Sequence, residues 1–155
     1  MHFRLYTSAD FPRLYAIEEI CFQPPLRFPR RYMRQLVESQ DSATWIAEQA
    51  DQLAGFAIVE WSGDPANPQA YIQTLEVSPQ HRRQGIALEL LLRLESSARS
   101  AGATTIWLHV DAENTSAIAL YRAHGYQQQG REEHYYARHR PAEIYAKSLT
   151  PIPNP

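Results

Sequence analysis

The sequence predicts a mixed α/β fold: a sheet with one parallel crossover and otherwise hairpin-like connections. Three observations lead there. Apolar alternation of period two marks strands at the start, the middle and the end of the chain. One long helical pattern lies between two β-branched, aromatic-rich runs, which makes a strand–helix–strand unit whose strands must be parallel and right-handed. The elements do not alternate regularly, which excludes a Rossmann array. The 155 residues, 44% hydrophobic and 21% charged, suit one domain of ordinary composition and are too few for two well-cored ones. A single domain over 1–150 is expected, with the proline-rich PIPNP (151–155) as a frayed tail.

Taken in order, residues 2–6 alternate and read as a strand. Ser8 is an N-cap candidate before Phe11, Leu14, Tyr15, Ile17 and Ile20, a helical spacing. Gln23-Pro24-Pro25 cannot continue that helix. Pro29 suits the first turn of a second helix carrying Tyr32, Met33, Leu36 and Val37. Residues 44–48 and 53–61 form a predicted hairpin, and 62–69 a loop. Residues 71–77 read as a strand, HRRQG (81–85) as a basic loop, and 86–99 as a helix ended by Ala101-Gly102. A strand is predicted over 104–110. Asn114 is the N-cap candidate for a helix over 115–124, which Gly125 terminates. Two last strands, 126–129 and 142–149, flank an aromatic loop, His134-Tyr135-Tyr136.

Several function classes fall away on composition. Fifteen basic and 17 acidic side chains leave a net charge of −2, so nothing global attracts nucleic acid or an anionic membrane. No run approaches the roughly 20 apolar residues of a membrane span, and MHFRLYTSAD lacks a secretory core. The lone Cys21 excludes an internal disulfide and a multi-cysteine metal site, and fits a reducing, cytoplasmic setting. His134 and His139 lack the further ligands of a metal set, so no metal is expected.

The stretch from Leu75 to Leu92 carries the most chemistry. A strand ends at Val77, a basic loop follows, and Gly85-Ile86-Ala87 opens a helix. Helix-start amides carry partial positive charge and have no intrahelical partner, which suits a pyrophosphate. Gly85 lets the backbone come close, and Arg82 and Arg83 add fixed charge. On these residues alone, an anion site and a glycine that merely turns the chain are equally supported.

Arg82-Arg83-Gln84-Gly85-Ile86-Ala87 resembles the Arg/Gln-x-x-Gly-x-Gly/Ala signature of the GCN5-related N-acetyltransferases (GNAT). LHVDAENTSAIALYRAHGY (108–126) resembles that family's strand, Asn-rich turn and Leu-Tyr-x-x-x-Gly-Phe/Tyr helix. HYYARHRPAEIYAKSL (134–149) is similar to the C-terminal loop and strand of protein Nα-acetyltransferases. CFQPP (21–25) resembles a segment of the bacterial ribosomal-protein alanine acetyltransferases. The resemblance covers nearly the whole chain and implies a seven-stranded GNAT fold with four helices, acetyl-CoA lying between two splayed central strands. It implies that backbone groups of Leu75, Glu76 and Val77 hold the pantetheine, that Arg82, Arg83, Gln84, Gly85, Ile86 and Ala87 hold the pyrophosphate, and that Asn114 touches the cofactor arm. It implies Tyr121 as general acid at the thioester sulfur. Phe22, Pro24, Pro25, Tyr71, Tyr135 and Tyr136 would then wall the acceptor site.

Acetyl transfer needs a neutral amine. Roughly a tenth of α-amino groups are neutral at pH 7, against below about 0.1% of lysine side chains, so an Nα-enzyme needs only a modest base. His109 lies in the predicted strand on the face opposite Ile106, Leu108 and Val110. By itself it reads as an ordinary histidine of a two-sided sheet. Tyr71-Ile72-x-Thr74-Leu75 with Leu108-His109-Val110 resembles the eukaryotic NatE-type enzymes, which implies Tyr71 and His109 as a base pair. Leu26 stands where the bacterial ribosomal enzymes carry Trp. The expected function is acetylation of a protein or peptide α-amino group, by a monomer with a dimer left open. A lysine or small-amine acetyltransferase, and a non-catalytic acetyl-CoA sensor, are the competing readings.

Overall fold

The computed structural model describes residues 1–62 and 64–150; the expected tail, 151–155, lies outside them. The elements run β1 (His2–Leu5), a 3-10 turn (Ser8–Asp10), α1 (Phe11–Cys21), α2 (Arg30–Glu38), β2 (Ser42–Gln49), β3 (Gln52–Trp61), β4 (Gln69–Val77), α3 (Ile86–Ser100), β5 (Thr105–Asp111), α4 (Thr115–Ala123), β6 (Gln127–Ala137) and β7 (Arg140–Ser148), with a further 3-10 turn at Pro79–His81. The seven strands form one sheet in the order β1-β2-β3-β4-β5-β7-β6. Among the described residues, only β4 and β5 pair in parallel; every other pairing is antiparallel. The expected mixed sheet and crossover are therefore present.

The core lies on both faces of the sheet. Ala54, Ala57 and Val59 of β3 pack with Leu90, Leu91 and Leu94 of α3. Phe56 and Ile58 point the other way, toward Phe11, Leu14 and Ile17 of α1 and Met33 and Leu36 of α2. Coverage on both sides explains why β3 reads as a continuous apolar run rather than an alternation. No described helix is long and apolar enough to cross a membrane.

Two local expectations are corrected. The first helical segment is capped by Thr7, not Ser8: the Thr7 N–H donates to Asp10 Oδ2 at 2.8 Å. Asp10 is buried and also accepts from Arg4 at 2.7 Å, so its carboxyl sits well below the usual carboxylate range, chiefly through Arg4. The aromatic loop at 134–136 is not a loop. β6 runs through it to Ala137 and turns tightly into β7. The strand was hidden because QQQGREE is exposed on nearly every residue, so the sequence has no alternation to read.

Candidate active site

Pairing between β4 and β5 covers only Gln69↔Thr105 to Ile72↔Leu108. Beyond Ile72 the strands diverge, and the β4 edge facing β5 loses its ladder partners. Backbone groups left in that way need another partner. A cleft of about 670 Å3 opens there, lined by Leu75, Glu76, Val77, Arg82, Gly85 and Ala87 among others. Gly85 is the N-cap of α3 at φ +78°, a left-handed conformation that favours glycine. A Cβ built on it meets nothing within 4 Å, so the space above the helix start is open. The first N–H groups of α3 have no intrahelical acceptor by helix geometry. The residues present thus fit a pyrophosphate followed by an extended amide chain. Arg83 also lines the cleft, whereas Gln84 does not. Arg82 is folded back, its Nε donating to the Val77 carbonyl at 3.1 Å.

Asn114 caps α4: its Oδ1 accepts from Ala117 N–H at 3.2 Å, which leaves its NH2 for the cleft. Tyr121 is buried and lines both this cleft and a narrow junction of about 90 Å3. Burial raises its phenol above the usual range, so it stays protonated.

On the far side of the junction lies a second groove, about 640 Å3, lined by Tyr71, His109, Tyr135 and Tyr136 among others. The Tyr71 hydroxyl and His109 Nδ1 are 2.8 Å apart, and His109 Nε2 is 3.1 Å from Glu132 Oε1. A carboxylate only accepts, so Nε2 carries the proton and Nδ1 accepts from Tyr71 O–H. Burial raises the Tyr71 phenol as well, so it is a donor and not a phenolate at neutral pH. Tyr135 stacks on the His109 ring, centroids 4.2 Å apart and planes within 8°. Tyr135 and Tyr136 both face the groove although neighbours in a strand alternate. The register of β6 shifts between Glu132 and Ala137, and His134 adopts φ +60°, which re-aims the pair.

Comparisons with known proteins bear on the fold that carries these features. The model of the Acetyltransferase (GNAT) family matches residues 11–126. This chain belongs to that family. The [Ribosomal protein bS18]-alanine N-acetyltransferase of Escherichia coli (strain K12) is 30% identical over 132 residues, 83% of this chain and 82% of the relative. Streptothricin acetyltransferase of Streptomyces lavendulae is 41% identical over 90 residues, 57% of this chain but about half, 47%, of the relative. Among solved structures, Arabidopsis thaliana NAA60 in complex with acetyl-CoA superposes with a TM-score of 0.83 at 24% identity, covering 96% of this chain and 98% of that one.

Within this GNAT fold, some expected site residues stand apart. Pro24 and Pro25 line a separate recess of about 380 Å3 with Glu113 and Arg140, and Phe22 faces that recess, the junction and the 670 Å3 cleft, none of them the aromatic groove. Leu26 and Phe28 line the junction together with Phe22, and Phe28 also lines the aromatic groove. Nearby, Arg27 donates to the Phe22 carbonyl and Arg34 lies 4.0 Å over the Phe11 ring. Sequence reasoning missed Glu132, Trp107, Tyr32, Glu60 and Gln73. It also missed Glu18, buried beside Glu76. The Glu76 carboxyl is buried, accepts from Thr74 Oγ1 at 2.6 Å, and is pushed well above the carboxylate range by burial and then by Glu18. The Glu18 carboxylate accepts the Phe28 N–H at 3.0 Å, tying the α1–α2 connection to the site.

Proposed function

We propose that residues 1–150 form one acetyl-CoA-dependent acetyltransferase domain acting on the α-amino group of a protein or peptide. The observation that carries this reading is the Tyr71–His109–Glu132 chain at the point where two grooves meet. Acetyl-CoA supplies the activated acyl group, and NAA60, a structural neighbour, was solved with it. The open helix start at Gly85, with Arg83, holds its pyrophosphate; Leu75 to Val77 face its arm; Asn114 offers its NH2.

On the other side, the amine enters the aromatic groove. As it attacks, its proton passes to the Tyr71 oxygen while the Tyr71 proton moves to His109 Nδ1. Glu132 stabilises the imidazolium through Nε2. Tyr121, protonated in its buried position, donates to the departing sulfur. The ordinary pKa of an α-amino group lies close enough to that of histidine for this chain to suffice. The bS18-alanine relative, which by name acts on an alanine of a protein, supports the same substrate class. A reducing, cytoplasmic setting belongs to this reading and suits the free Cys21.

A small-molecule amine is the second reading, favoured by the 41% identity to streptothricin acetyltransferase. Acetyl-CoA turnover over short peptides with free N-termini, N-blocked lysine peptides and simple amines decides between them. Free N-termini should be fastest; faster turnover of blocked lysine peptides or amines overturns the Nα assignment.

A further inference from the structure

The acceptor groove has a polarity that the acetyl-transfer chemistry does not require. Its floor is a lattice set by strand register. Glu60 of β3 stands opposite Tyr71 of β4, which stands beside Trp107 of β5. Paired residues share a sheet face, so these three side chains form one row. Gln73 and His109 lie two residues further along β4 and β5, past the point where the two strands part, and line the same groove. The aromatic walls are Phe28, Tyr32, Trp61, Tyr135 and Tyr136. Among the described lining residues there is one carboxylate, Glu60, and no lysine or arginine. The Gln73 Nε2 donates to Glu60 Oε1 and Tyr32 Oη donates to Gln73 Oε1 at 3.3 Å, which fixes the carboxylate in place. Burial raises the Tyr32 phenol, and the negative charge of Glu60 adds to it.

A carboxylate held among aromatic faces attracts an ammonium or guanidinium group, by charge and by cation–π contact. It cannot serve the reacting nitrogen, which must be neutral beside Tyr71 and His109. β3 and β5 are two strand spacings apart and His109 lies two residues further along, so the two backbones are roughly 12 Å apart, and an amine at the Tyr71 hydroxyl, on the near side of His109, lies roughly 10 Å from Glu60. The geometry points to a second subsite: Glu60, held by Gln73 and flanked by Tyr32 and Tyr71, binds a non-reacting cationic group that the acceptor carries about 10 Å from its reacting amine. This rests on the Nα-acetyltransferase reading, and within it the occupant is the side chain of a lysine or arginine at the second position of the peptide. An extended lysine there spans about that distance from the α-amine.

The test compares kcat/KM at saturating acetyl-CoA for two amidated pentapeptides that differ only in lysine or norleucine at the second position. A parallel arm uses a straight-chain diamine whose nitrogens lie roughly 10 Å apart and the monoamine of the same chain. Wild type should prefer lysine by about 10-fold. Glu60→Gln should bring that ratio to near one, Glu60→Lys should invert it, and Glu60→Asp should keep most of it. High salt should weaken the preference in wild type. Equal rates on the two peptides in wild type, or a preference that Glu60→Gln leaves intact, overturns the subsite. If the diamine turns over faster than either peptide but shows the same dependence on Glu60, the subsite stands and the Nα reading falls. Should no peptide or amine turn over, calorimetric binding of the two peptides to the CoA-loaded protein replaces the rates, and equal affinity overturns the proposal.

Discussion

The two grooves that meet at the junction are of nearly equal size, about 670 and 640 Å3, yet they are built from different parts of the chain. The cofactor-side cleft is made largely of backbone: the free edge of β4 and the start of α3. The acceptor groove is made of side chains delivered by β3, β4, β5, β6, α2 and the α1–α2 connection. A backbone site tolerates change in every side chain except those that set the path of the chain. A side-chain site changes its preference with each residue. A constant partner suits the first construction and a variable one the second.

The contrast is broken most severely at Gly85. Gly85→Glu places a negative charge at the helix start and a side chain at φ +78°, and acetyl-CoA should then no longer raise the melting temperature, whereas wild type gains by mass action. Gly85→Ala adds strain without charge into open space and should keep part of the shift. Equal shifts in all three proteins would place the pyrophosphate elsewhere. Next in size is the proton path. His109→Ala should lower kcat about 10²-fold or more with little change in KM for acetyl-CoA. Tyr71→Phe should lose a comparable factor, because both ring nitrogens of His109 are engaged and the proton reaches it through the phenol. Full activity in Tyr71→Phe with loss in His109→Ala would mean that His109 works through water.

Smaller effects sharpen the comparison. Tyr135→Ala and Tyr136→Ala should raise the peptide KM several-fold and leave the acetyl-CoA thermal shift unchanged; a weakened shift would show that the two grooves do not act separately. The smallest expected effect is on stability. Glu76 in the folded protein is raised above its ordinary value of 4.5, so folding takes up a proton. That contribution is fully present below about pH 4.5 and is lost as pH rises through the folded value. Glu76→Gln keeps an acceptor for Thr74 and carries no charge. It should therefore melt higher than wild type at pH 8, with a smaller gain at pH 5, in differential scanning calorimetry. A gain that does not depend on pH would mean that Glu76 is not the group that titrates.

The same contrast governs what could be read before folding. The cleft around Gly85 was legible because a backbone site leaves a mark in one short stretch: a strand end, basic residues, a glycine and a helix start. Asn114 was legible as a cap for the same reason. The face of His109 followed from alternation in β5, but its partner Glu132 did not. Glu132 lies in a run of exposed charges with no period, and only the β6–β7 pairing carries it to the ring. Its side chain is 50% exposed against 9% for His109, so nothing in the local pattern distinguishes it from a solvated glutamate. Glu60 was hidden differently, as the polar end of an apolar run in β3. Ser8 and its neighbour Thr7 are both good caps, so composition does not separate them; the burial of Asp10 with Arg4 does.

β6 is also the outermost strand of the sheet, and this has a consequence for self-association. An edge strand offers unpaired N–H and C=O groups to any second chain that can align with it. This one carries Arg131, Glu132 and Glu133 in succession, and its register is broken twice before Ala137. Three consecutive charged side chains hold water on that edge, and the bends would prevent a long ladder. The residues that conceal the strand from hydropathy, and that bring a carboxylate to His109, thus also stop the sheet from templating its own extension.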